Sequence, residues 1–245
     1  MKILEQYGIN SGSDEQHAAI AEQQIEAQTF FDDASELLDA ITPAIEEEVI
    51  PNLEEFSGRW NPVGFMVFPL GLHETLGSLR LHFWPRGERK VSAHRPNIHN
   101  HAWHLASKVL RGVYRDTLFT VQEAHENETE GTLGVYTSRF TSSGTDILST
   151  SGQRAFALPY NRRLIPAGNV HDIEAGTYHL PNIRADELVA TLVVDSPAMD
   201  LHTRVLINED SEEISRQRVM VSNSATKEVK HQLMAHGETV MMKAS

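Results

Sequence analysis

The chain has no cysteine among its 245 residues. That excludes a disulfide framework, a thiolate metal site and a cysteine nucleophile. Nowhere do apolar residues run on for the roughly 18 that a membrane-spanning helix needs. The opening Met1-Lys2-Ile3-Leu4-Glu5 passes into polar sequence rather than into the apolar core of a signal peptide, so cytoplasm is the default expectation. There is no Gly-x-Ser-x-Gly elbow, no phosphate-cradling glycine loop and no dinucleotide fingerprint. Basic residues are also scarce, 21 Lys and Arg against 34 Asp and Glu, for a net charge of −13. A chain of that balance, with no basic stripe, is expected to bind neither nucleic acid nor an anionic membrane.

The acidity is local. Residues 1–60 carry 14 of the 34 acids and only Lys2 and Arg59 as bases, whereas the other 185 residues are close to neutral. Within this acidic part, residues 13–41 read as a helix. Ser13 and Gln16 form a capping box, and apolar residues recur at helical spacing through Ile20, Ala27, Phe30, Phe31, Ala34, Leu37, Leu38 and Ile41. Thr42-Pro43 reads as a fresh N-cap with proline at the first helical position, opening a second helix towards Phe56. Its Glu46-Glu47-Glu48 run reads as a solvated face.

From Trp60 the grammar changes to short β-branched and aromatic segments separated by turn signals, as in a sandwich or barrel. Residues 64–70, 78–84, 108–122, 131–141, 154–158, 163–166 and 187–195 are expected strands, with a bend at Gly112. The 78–84 segment alternates, placing Leu79, Leu81 and Phe83 on one face and Arg80, His82 and Trp84 on the other. Past Asn208 the chain turns polar, with a short helix expected over 226–236 and a short strand over 238–242.

Two histidine motifs carry the chemistry. His99-Asn100-His101 puts two imidazoles on one face if the segment is extended, and Pro166-Ala167-Gly168-Asn169-Val170-His171 supplies a third after a turn. Three imidazoles from neighbouring strands can hold a divalent transition metal on one side and leave the other open. Arg80 and His82 share a strand face just ahead of the first motif and are candidate substrate-binding residues, Arg80 as a fork for a carboxylate. His104 is a third candidate for the pocket wall. The histidines His17, His73, His125, His179, His231 and His236 read by default as surface residues.

A His-x-His strand followed by Pro-x-Gly-x-x-His resembles the cupin family of small β-barrels. The first motif lacks that family's glutamate, where this chain has Leu105. Three histidines without a carboxylate resemble the thiol dioxygenases of the cysteine dioxygenase type, as do residues 98–115 and Ser196-Pro197. That branch's serine–histidine–tyrosine relay is replaced here by Thr191, Val193 and Asp195. The resemblance implies a mainly β protein: a cupin barrel (double-stranded β-helix, or jelly-roll) over residues 60–208, an acidic α-helical extension over 1–59 and a polar tail over 209–245. It implies a metal site of His99, His101 and His171 and a mononuclear non-haem iron(II) enzyme that oxidises a small organic substrate with dioxygen. Nickel, manganese or zinc also suit three imidazoles. A homodimer is a family-level expectation. Two other readings stay open, a non-catalytic metal- or small-ligand-binding cupin module and, ranked lower, a cupin isomerase or epimerase.

Overall fold

β-Branched and aromatic residues recur in short segments from residue 59 onward, and in the computed structural model strands follow one another from Arg59 to Gln217. The structure describes residues 2–10, 26–125, 128–141 and 144–244. Two antiparallel sheets make a β-sandwich-like arrangement consistent with a jelly-roll. The first runs β1 (Ile9–Asn10), β3 (Phe65–His73), β4 (Gly77–Trp84), β12 (Val189–Asp195), β6 (Leu105–Arg111), β10 (Val170–Ile173), with β2 (Arg59–Asn61) paired to β3. The second runs β14 (Glu213–Gln217), β9 (Thr145–Pro166), β7 (Val113–Glu123), β11 (Tyr178–Pro181), β5 (Pro96–His99), β13 (Arg204–Ile207), β8 (Leu133–Phe140). Strand β9 spans both segments that the sequence suggests as separate strands. Its first half pairs with β8 and its second with β7, so this sheet curls back on itself.

The bend at Gly112 is where β6 passes into β7 and the chain crosses between sheets. Its φ of +77° is one that only glycine adopts cheaply, and a Cβ there would press on the Leu188 carbonyl.

The alternation of β4 divides the molecule. Leu79, Leu81 and Phe83 are fully buried in the main core, together with Phe68, Leu192 and the helix residues Phe30, Leu38 and Ile41. Arg80, His82 and Trp84 turn the other way and face a cavity between the sheets. One ribbon thus has a structural face and a chemical face.

The N-terminal helix covers Ala27–Ala44, and the proposed start at Ser13 lies outside the described residues. The chain does not restart at Thr42-Pro43 as the sequence suggests. It continues past Pro43 into a wider π turn, Ile45–Val49, and a tighter 3-10 segment, Ile50–Glu55. The apolar stripe Ile41, Ile45, Val49, Ile50 and Leu53 stays buried throughout, and this burial holds the segment together. The acidic face is not simply solvated: Asp39 accepts from Lys108 at 2.7 Å and Glu46 from Arg111 at 2.5 Å, tying it to β6.

The tail is more structured than its composition suggests. Strand β14 joins the second sheet, and a helix, Asn223–Ala244, runs through the segment expected as a strand. Val229 and Leu233, four residues apart, bury into the main core and anchor the helix. A short apolar run such as Val240-Met241-Met242 does not by itself distinguish strand from helix.

Candidate metal centre

The cavity between the sheets has a volume of about 290 Å³. Its walls mix apolar side chains, among them Phe65, Trp84 and Val193, with six of the residues that carry the site chemistry: Arg80, His82, His99, His101, His171 and His179.

Three imidazoles converge there, and the third is His179. Each of His99, His101 and His179 offers a nitrogen, and these atoms lie within 4.8 Å of one another. The ring centroids are 5.0 Å apart for His99 and His101, 4.6 Å for His99 and His179, and 5.2 Å for His101 and His179. Topology accounts for the meeting. Strand β11 pairs with β5, and His179 stands directly opposite His99 in that register. Strand β5 ends at His99, so His101 sits in the loop just past it.

Hydrogen bonds fix which nitrogens face inward. His99 Nδ1 lies 3.1 Å from the Asn97 carbonyl, to which it donates, leaving Nε2 as the lone-pair atom. His179 Nδ1 lies 3.2 Å from Asp116 Oδ1 and donates to that carboxylate, which Arg163 also holds at 2.6 Å. A carboxylate behind an imidazole is the usual support of a metal-binding histidine, because it fixes the tautomer and raises ligand basicity.

The Nε2 atoms of His101 and His179 are 3.1 Å apart. Two imidazole nitrogens bound to one ion at about 2.0–2.1 Å would stand roughly 2.8–3.4 Å apart in octahedral or tetrahedral arrangement. The residues therefore fit a metal ion, with His179 buried and His99 and His101 half-buried.

Electrostatics keeps the His99 and His101 rings neutral, the form that binds metal. Burial, reinforced by the neighbouring His179, pushes the His99 pKa down to about 3. Burial and the adjoining histidines hold His101 well below the usual imidazole range. For Asp116, burial favours the neutral acid, but His179 and Arg163 together outweigh it and leave the carboxyl below its usual range.

His171, which the sequence places among the ligands, is in the same cavity but outside this convergent group. The Pro166-Ala167-Gly168 turn does form, with Gly168 at φ +91° and its N–H bonded to the Val109 carbonyl at 2.8 Å. That turn sets His171 on β10, opposite Ser107 of β6, and so on the other sheet from His99 and His179. There its ring stacks on Tyr114 at 4.5 Å, and its Nδ1 has no hydrogen-bond partner.

Burial, then the charge of Arg163, lowers the His171 pKa to about 3. An unfolded imidazole titrates near 6.5. Between those values the unfolded chain takes up a proton that the folded chain refuses. The stability this ring confers is therefore complete above pH 6.5 and is lost as pH falls towards 3. His171→Phe keeps a ring against Tyr114 but removes the proton. In metal-free protein it is expected to gain roughly 2–3 kcal/mol relative to the parent between pH 7 and pH 4. Urea unfolding midpoints at the two pH values measure this, and parallel losses in both proteins would contradict it.

Arg80 and His82 both line the cavity, yet Arg80 is already ion-paired with Asp195. His82 packs against Phe65 at 4.8 Å, with Nε2 unpartnered. His104 does not line the cavity. Its ring turns the other way, to Phe30 and Phe31 at 5.9 and 5.5 Å, and its Nδ1 accepts the Ala175 N–H at 3.1 Å. His104, expected in the pocket wall, is thus placed between the loop after His101 and the N-terminal helix.

His179, read as a surface residue, is 2 % exposed. The signal that could have found it lies in Tyr178-His179-Leu180, a histidine between apolar neighbours just after the Gly176 turn. Asp116 gives a second one, an acid between Tyr114 and Leu118 on the buried face of its strand. No known protein family's profile matches the chain, and no curated protein is significantly similar to it in sequence.

Proposed function

We propose that this chain is a mononuclear metalloenzyme with a cupin-like site, in which His99, His101 and His179 hold iron(II) and dioxygen oxidises a small organic substrate. The observation that carries the reading is the convergence of three imidazoles in a cavity, two of them with Nδ1 committed to a carbonyl or a carboxylate. Bound iron(II) would supply a redox-active centre with open positions at which dioxygen and substrate meet. The chain's own part is to position and to exclude. Asn97 and Asp116 orient the rings of His99 and His179. Phe65, Trp84 and Val193 give the cavity apolar walls that select a small body and displace water. Tyr114 and His171 line the cavity as a stacked pair that joins the two sheets.

Reconstituting metal-free protein with iron(II) under anaerobic conditions is expected to load about one iron per chain. An oxygen electrode should then record uptake with at least one member of a panel of thiols, amino acids and diketones. Full iron loading with no uptake across that panel would favour the non-catalytic metal-binding module instead.

A further inference from the structure

The cavity holds more positive charge than it compensates. Arg80, Arg216 and Arg218 all line it. Arg80 is paired with Asp195, and Arg218 with Asp146 at 2.9 Å. Arg216 has no ion pair with a carboxylate among the described residues, although only 9 % of it is exposed. Among the described residues it makes a hydrogen bond from Nη1 to Asn97 Oδ1 at 3.3 Å and its buried Nε has no partner, while the Asp146 carboxylate, already paired with Arg218, acts on it through space. A buried guanidinium left this way is costly unless an anion completes it.

Asn97 ties this group to the metal centre. Its side chain holds Arg216, while its backbone carbonyl accepts from His99. It does so with φ at +68°, a left-handed conformation that side-chain-bearing residues adopt at some cost, and it is 2 % exposed. Arg216 also borders a second, outer groove of about 490 Å³ that carries Arg89 and Lys90 against Glu88. An anion approaching from outside meets positive charge first, and Arg216 stands in the wall between groove and cavity.

We propose that the cavity takes a small carboxylic acid, its carboxylate bound by the fork of Arg216 and its apolar body lying along Phe65 and Trp84 towards the three histidines. A planar guanidinium offers its N–H donors as a fork that matches a carboxylate in two parallel hydrogen bonds, and the volume admits only a short body. That this acid is the substrate rests on the metalloenzyme reading; the anion site itself does not.

The test uses metal-free protein, so that it does not depend on the iron. Calorimetric titrations compare propionate, hexanoate and benzoate with their primary amides at pH 7 and low salt. At least one acid is expected to bind 10-fold or more tightly than its amide. Arg216→Met should remove that preference while leaving amide binding unchanged. Arg216→Lys, which keeps the charge but not the fork, should reduce the preference several-fold, and it serves if the methionine variant does not fold. Equal binding of acid and amide, absence of carboxylate binding, or a preference that survives in either variant would overturn the proposal. Preference for acids in a protein that takes up no iron would leave the anion site standing and remove the enzyme reading; iron uptake with no such preference would do the reverse.

Discussion

Replacing His179 by alanine is expected to abolish stoichiometric iron binding, whereas His171→Phe should still bind about one iron per chain. The contrast follows from where the two rings stand. His179 faces His99 across a strand pair and brings Nε2 to 3.1 Å from that of His101. Taking it away leaves two imidazoles and removes the one ligand of the group that a carboxylate backs. His171 comes from the other sheet and spends its face on Tyr114, a contact that phenylalanine reproduces. Dialysis followed by elemental analysis reads both variants in one experiment. A loss of at least 100-fold in affinity for His179→Ala is the expected scale, since losing an outer partner alone typically costs 10–100-fold. The reverse pattern, with iron lost on changing His171 and kept on changing His179, would transfer the ligand role to the histidine that the Pro-x-Gly-x-x-His motif singles out.

Asp116 is the second position where a small change should have a large effect. Its side chain is fully buried and serves two cations, or potential cations, at once: Arg163 at 2.6 Å and the Nδ1 side of His179 at 3.2 Å. Asp116→Asn removes the charge but retains an acceptor, so the protein should fold while metal affinity falls about 10–100-fold. Asp116→Ala removes both and leaves Arg163 facing an emptied, buried site. Breaking a buried pair from one side costs about 3–5 kcal/mol, and the lower end applies because Arg163 retains some contact with solvent. Competition with a metal-sensitive dye gives the first quantity and denaturant unfolding of metal-free protein gives the second. Unchanged affinity in Asp116→Asn would mean that the carboxylate serves only the fold.

Those two residues also show how far the sequence could be read. The mainly β character of the chain after residue 59 was legible because a period of two in β4, Leu79-x-Leu81-x-Phe83, states which face is buried. The first two members of the histidine group, His99 and His101, were legible because they are neighbours in sequence and share a motif. His179 was not, because its partners Asp116 and His99 lie 63 and 80 residues away and meet it only through the pairing of β11 with β7 and β5. Nothing local in Tyr178-His179-Leu180 says which strand will lie alongside. The Pro166-Ala167-Gly168 turn was legible as a turn, but its consequence was not. It places His171 in the right cavity and on the sheet opposite the other rings.

The helical parts failed for a different reason. Pro43 is a strong local stop signal, yet the buried stripe from Phe30 to Leu53 carries the helix through it, because burial over several turns outweighs one lost hydrogen bond. At the other end, the helix expected over 226–236 forms, anchored by Val229 and Leu233, and it runs on to Ala244 through the segment expected as a strand. Arg216 escaped notice altogether. It lies in Glu213–Gln217, a short strand of alternating burial whose partners are set by long-range pairing with β9.

The most direct test is to diffract from crystals of the iron-loaded protein on either side of the iron absorption edge and to locate the anomalous peak. One peak per chain is expected, within ordinary metal–nitrogen bonding distance of Nε2 of His99, His101 and His179, with His171 still stacked on Tyr114. A peak bonded to His171 in place of His179, or no peak in the cavity at full iron occupancy of the solution protein, would contradict the account.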